Sequence, residues 1–180
     1  MSRLAIPTRD ASPAGSQHLL DGVGAKLGVI PNLFRLVGNS PAALEGYLGL
    51  STALNRTLDL KTRERIALAV AQVNGCDYCL SAHTYIGLNM ARLDPAEIAL
   101  ARQGGSADAR ADAAVRFARQ VAETRGQVSD ADLEAVKRAG FTDANVVEIV
   151  LVIAENVLTN LINNVARTDI DFPVVTAAAG

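Results

Sequence analysis

The chain has 180 residues, of which 49% are apolar and 20% are charged, and this is the composition of an ordinary globular domain. Its 17 Lys and Arg residues against 19 Asp and Glu residues give a net charge of -2. We therefore expect neither a nucleic acid nor a membrane surface as a partner. We interpret residues 1–180 as a single domain, with residues 1–15 and 173–180 as peripheral.

The N-terminal residues lack the apolar segment of a signal peptide. The longest uninterrupted apolar runs, IALAVA (66–71) and IVLVIA (149–154), are too short to cross a bilayer. We therefore expect a cytoplasmic protein. In that reducing compartment a structural disulfide is uncommon, and two cysteines spaced C-x-x-C are more typical of a redox centre or a metal site.

Helix signals run along the whole chain, whereas aromatic residues are only 4% and strand-like alternation is nearly absent. Ser40 before Pro41 is a helix start, Asp94-Pro95 with Glu97 predicts a capping box, and Ser129 and Thr142 precede two further helices. The sequence predicts an all-α fold of about eight to nine helices, near residues 16–27, 31–38, 41–55, 60–74, 76–91, 95–103, 107–125, 130–139 and 143–166.

Two of these helices, within residues 60–73 and 146–162, are apolar around much of their circumference. Such helices lie in a core or in a subunit interface. Two of them in a domain of this size favour a homo-oligomer, and a single bundle centre is the alternative interpretation.

The segment NGCDYCLSAH (74–83) holds both cysteines and one of the two histidines of the chain. On a helix, Cys76, Cys79 and His83 lie at i, i+3 and i+7, within an arc of about 60° on one face. The Cα atoms of residues i and i+3 fall within the range of about 4.4 to 6.8 Å that a disulfide requires. The spacing therefore allows a reversible dithiol/disulfide couple.

Gly75 is expected to interrupt the preceding helix and leave both cysteines in the first turn of the next one. Unpaired N–H groups and the helix dipole favour an anion there, and His83 can take a proton from Cys79. A fall of the thiol pKa from about 8.5 to about 6.5 would raise the thiolate fraction at pH 7 from about 3% to roughly 75%. Cys79 is therefore the expected nucleophile.

Glu64 lies on an otherwise apolar stripe of the helix over residues 60–73. A carboxylate in such surroundings needs a partner or stays protonated. A helical hairpin around Gly75 would bring Glu64 beside His83, where it would orient the imidazole. The alternative interpretation pairs Glu64 with Lys61 at the surface.

The segment RERIALAVAQVNGCDYCLSAH contains Glu64, then eleven residues, Cys76-x-x-Cys79, three residues and His83. This pattern resembles that of the AhpD-like alkylhydroperoxidases of the carboxymuconolactone decarboxylase superfamily. Residues 28–44 and 152–166 are similar to the lead-in and the closing helix of its longer, peroxidase-related members. The resemblance covers roughly residues 28–172 and implies an AhpD-like helical bundle.

The resemblance also implies a thiol-dependent peroxidase. Cys79 would be the peroxidatic residue, Cys76 would resolve its sulfenic acid as a disulfide, and His83 and Glu64 would be the proton relay. The family implies a hydroperoxide substrate and a dithiol or protein reductant, in the best-known case a lipoylated protein. It implies no nucleotide cofactor, which agrees with the lack of a Gly-rich dinucleotide motif. We expect a homo-oligomer: a dimer, trimer or hexamer.

One position departs from the family pattern. Well-described alkylhydroperoxidases often have a second histidine just before the second cysteine, and here the residue is Tyr78. Tyr78 lies about 100° around the helix from Cys79, which favours a packing role. The relay is then one group shorter than in those enzymes, and the departure bears on peroxidase activity more than on the redox couple.

Two other functions remain open. Cys76, Cys79, His83 and Glu64 could bind zinc in a metal-binding or redox-regulatory module, although a carboxylate is uncommon in a structural zinc site. A carboxymuconolactone decarboxylase-type enzyme is a lesser alternative, since that branch lacks the paired cysteines.

The last predicted helix carries a polar stripe within apolar surroundings. We interpret these amides as hydrogen-bond partners between helices, with a site-lining role as the alternative. His18, which stands alone in the leader, is interpreted as neither a ligand nor a base. The stripe consists of Asn156, Asn160, Asn163 and Asn164.

Overall fold

The computed structural model describes residues 1–177 and shows an all-α fold with nine helices and no strand in that range. Each predicted helix is present, and its ends lie within two residues of the predicted ones. The helices are α1 (Ala14–Leu27), α2 (Asn32–Val37), α3 (Pro41–Leu54), α4 (Leu60–Val73), α5 (Asp77–Asn89), α6 (Pro95–Arg102), α7 (Ala109–Thr124), α8 (Asp130–Arg138) and α9 (Asp143–Ala166).

Side-chain caps explain why most helix starts can be predicted. Ser129 and Thr142 form complete capping boxes at α8 and α9. The box predicted at α6 is only half formed, because Asp94 accepts from the Glu97 amide but the Glu97 carboxylate accepts from Arg65 Nε of α4 at 2.6 Å instead. A buried ion pair thus takes the place of the local hydrogen bond.

Helix α4 is the centre of the bundle and packs against α5, α6, α7 and α9. One side of α4 contributes Ile66 and Val70 to an apolar cluster shared with α7 and α9. Its other side contributes Leu68 to a second cluster that contains both cysteines. The apolar second half of α4 is therefore explained within one chain.

Helix α9 is buried on one side only. Its inner face packs on α3, α4 and α5, as that of a core helix does. By length and composition, it is also the one helix among residues 1–177 that could cross a membrane. Its longest uninterrupted apolar run, IVLVIA (149–154), is too short to show this. Six apolar residues are exposed along its outer face, and we call them the α9 stripe: Val147, Val150, Leu151, Leu158, Leu161 and Val165.

The segment after α9 is held on α5 by specific hydrogen bonds. The amide of Val175 donates to Ser81 Oγ at 2.9 Å, and the amide of Ala177 donates to Asp77 Oδ1 at 2.8 Å. Of the segment predicted to be peripheral, residues 173–177 are therefore bound to α5. Residues 178–180 lie outside the described range.

Candidate active site

The site lies at the hairpin between α4 and α5. Helix α4 ends at its C-cap, Asn74, and Gly75 follows with a φ of 60°. This left-handed conformation is accessible to glycine without strain. The chain reverses there, and Cys76 becomes the N-cap of α5, so the helix break predicted at Gly75 is present.

Cys76 and Cys79 form a disulfide, with their Cα atoms 5.2 Å apart. Both residues are buried, at 0% and 3% exposure. The pair that the spacing predicts is thus closed in the structure, which represents the oxidised state of the couple.

Each sulfur accepts one hydrogen bond from a buried donor. The amide of Cys79 donates to Cys76 Sγ at 3.2 Å, and Asn163 Nδ2 of α9 donates to Cys79 Sγ at 3.4 Å. Within residues 1–177, no hydrogen bond joins the ring of His83 to the sulfur of Cys79. Donors aimed at a sulfur stabilise its thiolate after reduction.

Glu64 and His83 form a direct pair across the hairpin. Glu64 Oε2 lies 2.8 Å from His83 Nδ1, and the two side chains are 9% and 21% exposed. The alternative pairing of Glu64 with Lys61 is not found among the ion pairs of the described residues. The carboxylate on the apolar stripe of α4 therefore has the histidine as its partner.

The surroundings of His83 favour its charged form. Burial alone would lower the pKa of the imidazole, but the charge and hydrogen bond of Glu64 act against burial. Glu155 and the side chain of Asn156 add to the effect of Glu64, and the pKa of His83 is raised above its ordinary value. The ring can thus hold a proton taken from a thiol.

Glu155 of α9 is a second carboxyl group near this ring, and it is not among the site residues that the sequence predicts. Burial raises its pKa, and a Ser51 hydrogen bond and the charges of His83 and Arg63 only partly oppose that effect. The sequence does contain a signal for Glu155, which is an acidic residue that directly follows the apolar run of α9 and precedes an asparagine.

Tyr78 is a packing residue, as its position on the helix predicts. It is 4% exposed, its hydroxyl oxygen accepts from the amide of Leu33 at 3.1 Å, and its ring meets Phe172 edge-on at 5.8 Å. Burial raises the pKa of its hydroxyl. Tyr78 therefore joins α5 to the start of α2.

The asparagine stripe of α9 serves several purposes. Asn160 and Asn164 hydrogen-bond to Asn74 across the helix interface, at 2.8 and 2.9 Å, which confirms the prediction for these two. Asn156 Nδ2 donates to the carbonyl oxygen of Val152 in its own helix, and the side chain of Asn156 also acts on His83 of α5, which agrees with a site-lining role. Asn163 has the alternative role, because it reaches the sulfur of Cys79.

The zinc alternative requires four converging ligands. In the described part of the chain, no group of three or more His, Cys, Asp or Glu side chains is arranged to hold a metal ion. Both sulfurs are bonded to each other, and Glu64 is bonded to His83. The four residues thus form two pairs rather than one ligand set.

The model of the carboxymuconolactone decarboxylase family matches residues 40–124, a range that contains Glu64, Cys76, Cys79 and His83. An uncharacterized protein of Haemophilus influenzae is 51% identical over 45 residues. That match spans 24% of this chain and 40% of the length of the relative.

Solved structures are similar over nearly the whole chain. The crystal structure of an uncharacterized peroxidase-related protein with an alkylhydroperoxidase AhpD core, from Ralstonia eutropha, has a TM-score of 0.83 and 26% identity, and the match covers 94% of this chain and 92% of that one. The debrominase Bmp8, in complex with 2,3,4-tribromopyrrole, has a TM-score of 0.79 and 18% identity, with coverages of 95% and 92%. At that identity the second similarity describes the fold alone.

Proposed function

Because the chain belongs to the superfamily of AhpD-like proteins and carboxymuconolactone decarboxylases, we propose that it is a thiol-dependent peroxidase that reduces organic hydroperoxides. The observation that carries the proposal is the buried disulfide of Cys76 and Cys79 one turn from the Glu64–His83 pair. A redox couple and a group able to carry protons are the two parts that such a reaction needs.

In the first step, the thiolate of Cys79 attacks the distal oxygen of the hydroperoxide. A sulfur–oxygen bond forms, the oxygen–oxygen bond breaks, and an alkoxide leaves that takes up a proton to become an alcohol. Asn163 supports this choice of sulfur, since its amide donates to Cys79, and His83 lies one helical turn further along α5.

In the second step, the thiolate of Cys76 attacks the sulfenic acid of Cys79. The disulfide forms and hydroxide leaves, which becomes water on protonation. Two thiols are then oxidised for each hydroperoxide reduced. An external dithiol, free or on a protein, closes the cycle by exchange with the disulfide.

His83 and Glu64 carry the protons of both steps. The imidazole takes the thiol proton of Cys79 and returns it to the leaving alkoxide, while the carboxylate holds the ring by its Nδ1 atom. The raised pKa of His83 suits this role, because the imidazolium form persists long enough to protonate the leaving group.

We propose that the protein works in the cytoplasm, where dithiol reductants are abundant.

We also propose a homo-oligomer that buries the α9 stripe. The exposed parts of its six side chains amount to roughly 500 Å² for each protomer, and two copies would bury about 1,000 Å² in total, at the lower limit of specific interfaces.

The peroxidase proposal is tested with the reduced protein and cumene hydroperoxide. We expect one hydroperoxide to be consumed for each intramolecular disulfide formed. Cys79→Ser should abolish this reaction, whereas Cys76→Ser should leave a sulfenic acid that a dimedone probe traps at Cys79. If Cys79→Ser consumed the hydroperoxide at the parent rate, the assignment of roles would be wrong. If the purified protein held stoichiometric zinc that masks both thiols, the proposed function would be wrong.

A further inference from the structure

A small cleft lies between the first turn of α5 and the C-terminal end of α9. Its volume is about 310 Å³, near the lower limit of ligand pockets. Gly75 and Tyr78 line it on the α5 side, and Asn163, Thr168 and Ile170 line it on the other. The cleft therefore adjoins the redox centre through Asn163, the residue whose amide donates to Cys79.

Two buried side chains of this cleft each have one polar atom without a hydrogen-bond partner in the described part of the chain. Asn163 and Thr168 are 2% and 6% exposed, and neither Asn163 Oδ1 nor Thr168 Oγ1 has a hydrogen-bond partner among the described residues. The chain turn after α9 places them together, since the amide of Thr168 donates to the carbonyl oxygen of Asn163 at 3.2 Å. Buried polar atoms without a protein partner are uncommon, and beside a cleft a water, an ion or a ligand supplies the partner.

The orientation of the Asn163 amide follows from the chemistry of the disulfide. Neither sulfur of a disulfide carries a hydrogen, so only the NH₂ end of the amide can bond to Cys79 Sγ. The oxygen of the amide must then be the end without a protein partner. Asn163 thus has one end at the sulfur and an acceptor left for a donor that is not part of the described chain.

We propose that Asn163 is a further catalytic residue, which holds the Cys79 thiolate with its amide nitrogen and binds the peroxide group of a substrate in this cleft with its amide oxygen, assisted by the Thr168 hydroxyl. The inference rests on the proposed peroxidase function. It assigns the cleft to the peroxide end of the substrate.

The hydrogen-bonding groups of a hydroperoxide match those of the two side chains. The single O–H of the hydroperoxide donates to Asn163 Oδ1, and the Thr168 hydroxyl donates to one of its two oxygens. The distal oxygen, which keeps its hydrogen, is the atom that passes to Cys79 as sulfenic acid. The organic group would lie against Ile170 and Tyr78, where a cleft of about 310 Å³ has room for a small alkyl or aryl group.

The sulfur contact is tested without any peroxide. In a Cys76→Ser background only Cys79 reacts, and the pH dependence of its alkylation by iodoacetamide gives its thiol pKa. Loss of a hydrogen bond to an anion in Asn163→Ala should raise that pKa by about one unit or more, which slows alkylation about tenfold below the pKa. The matched control is Asn160→Ala, which removes a buried asparagine that bonds to Asn74 and should leave the thiol pKa unchanged.

The peroxide contact is tested at Thr168, where substitution leaves the sulfur alone. Thr168→Val removes the hydroxyl at constant shape and should lower the rate constant for cumene hydroperoxide about tenfold, with the alkylation pKa of Cys79 unchanged. Thr168→Ser keeps the hydroxyl and should retain the parent rate.

These measurements separate the possible failures. An unchanged thiol pKa in Asn163→Ala, or an equal rise in Asn160→Ala, would overturn the role of Asn163 at the sulfur. Equal peroxide rates in the valine and serine variants at Thr168 would overturn the peroxide site. A parent protein that reduces no hydroperoxide would overturn the proposed function and the peroxide site together, while the thiol pKa would still decide the sulfur contact.

Discussion

His83 Nδ1 lies 2.8 Å from Glu64 Oε2, although 19 positions of sequence separate the two residues. The hairpin at Gly75 brings the first half of α4 and the middle of α5 side by side, and neither member of the pair is fully exposed to water. Coulomb attraction is stronger in such surroundings than at the surface, so the charge of Glu64 strongly affects the protonation of His83.

Glu64→Gln should lower the pKa of His83, since it removes the charge that acts against burial. We expect a peroxide reaction at least tenfold slower, because a general acid–base group then works in the wrong protonation state. Titration of the imidazole by NMR and stopped-flow kinetics measure the two effects. Lys61→Gln, a charge change at an exposed position of the same helix, is the control, and a similar loss in that variant would contradict the prediction.

The stability of the oxidised protein should depend on pH through His83. Its pKa is raised in the folded state, so the stabilisation is fully present below the unfolded value of about 6.5 and is lost as pH rises through the folded value. We therefore expect the difference in free energy of unfolding between the parent and His83→Gln to shrink as pH increases above about 6.5. Urea denaturation across that range measures it, and a difference that grows with pH would contradict the sign.

Glu155→Gln should change the site less than Glu64→Gln does. Glu155 acts on His83 through its charge, whereas Glu64 adds a direct hydrogen bond. We expect a downward shift of the His83 pKa that is smaller than the shift in Glu64→Gln, as measured by NMR titration. A larger shift in Glu155→Gln would mean that the roles of the two carboxyl groups are reversed.

Tyr78→Phe should reduce stability more than activity. The substitution leaves the buried amide of Leu33 without its acceptor, and this costs about 1 to 3 kcal/mol. The rate with cumene hydroperoxide should stay within about twofold of the parent rate, because packing is the role of this residue. Chemical denaturation and kinetics on the same samples decide the matter, and lost activity at unchanged stability would instead make Tyr78 part of the relay.

Leu158→Lys with Leu161→Lys should dissociate the proposed oligomer. Both side chains belong to the α9 stripe, at 41% and 57% exposure, and burying two ammonium groups against a symmetric copy is unfavourable. Light scattering after size-exclusion chromatography measures the mass. Leu100→Lys, at an exposed leucine of α6, is the control, and an unchanged mass in the double variant would exclude the stripe as the interface.

The sequence predicts the helices well because their start signals are local. Ser129 and Thr142 cap helices through residues only three positions away, and Cys76 and Cys79 share one helical turn. The capping box predicted with Glu97 is incomplete because the carboxylate binds Arg65, 32 positions away, instead of the local amide.

Contacts between residues far apart in the sequence also explain which parts of the site the sequence does not predict. Asn163 lies 84 positions from Cys79, and the position of Glu155 depends on how α9 packs across α4 and α5. The amide stripe indicates that α9 has a polar inner face. Which of its asparagines meets the sulfur depends on the rotation of α9 about its axis, and packing alone fixes that rotation.

The cap of α5 is itself a sulfur, because the amide of Cys79 donates to Cys76 Sγ. Electron transfer to the couple therefore alters the atom at which this helix begins. The amide proton of residue 79 is a built-in reporter: its chemical shift and its exchange with solvent should follow the oxidation state in unlabelled thiols. A redox titration could then be followed inside the intact protein, without a dye or a coupled enzyme.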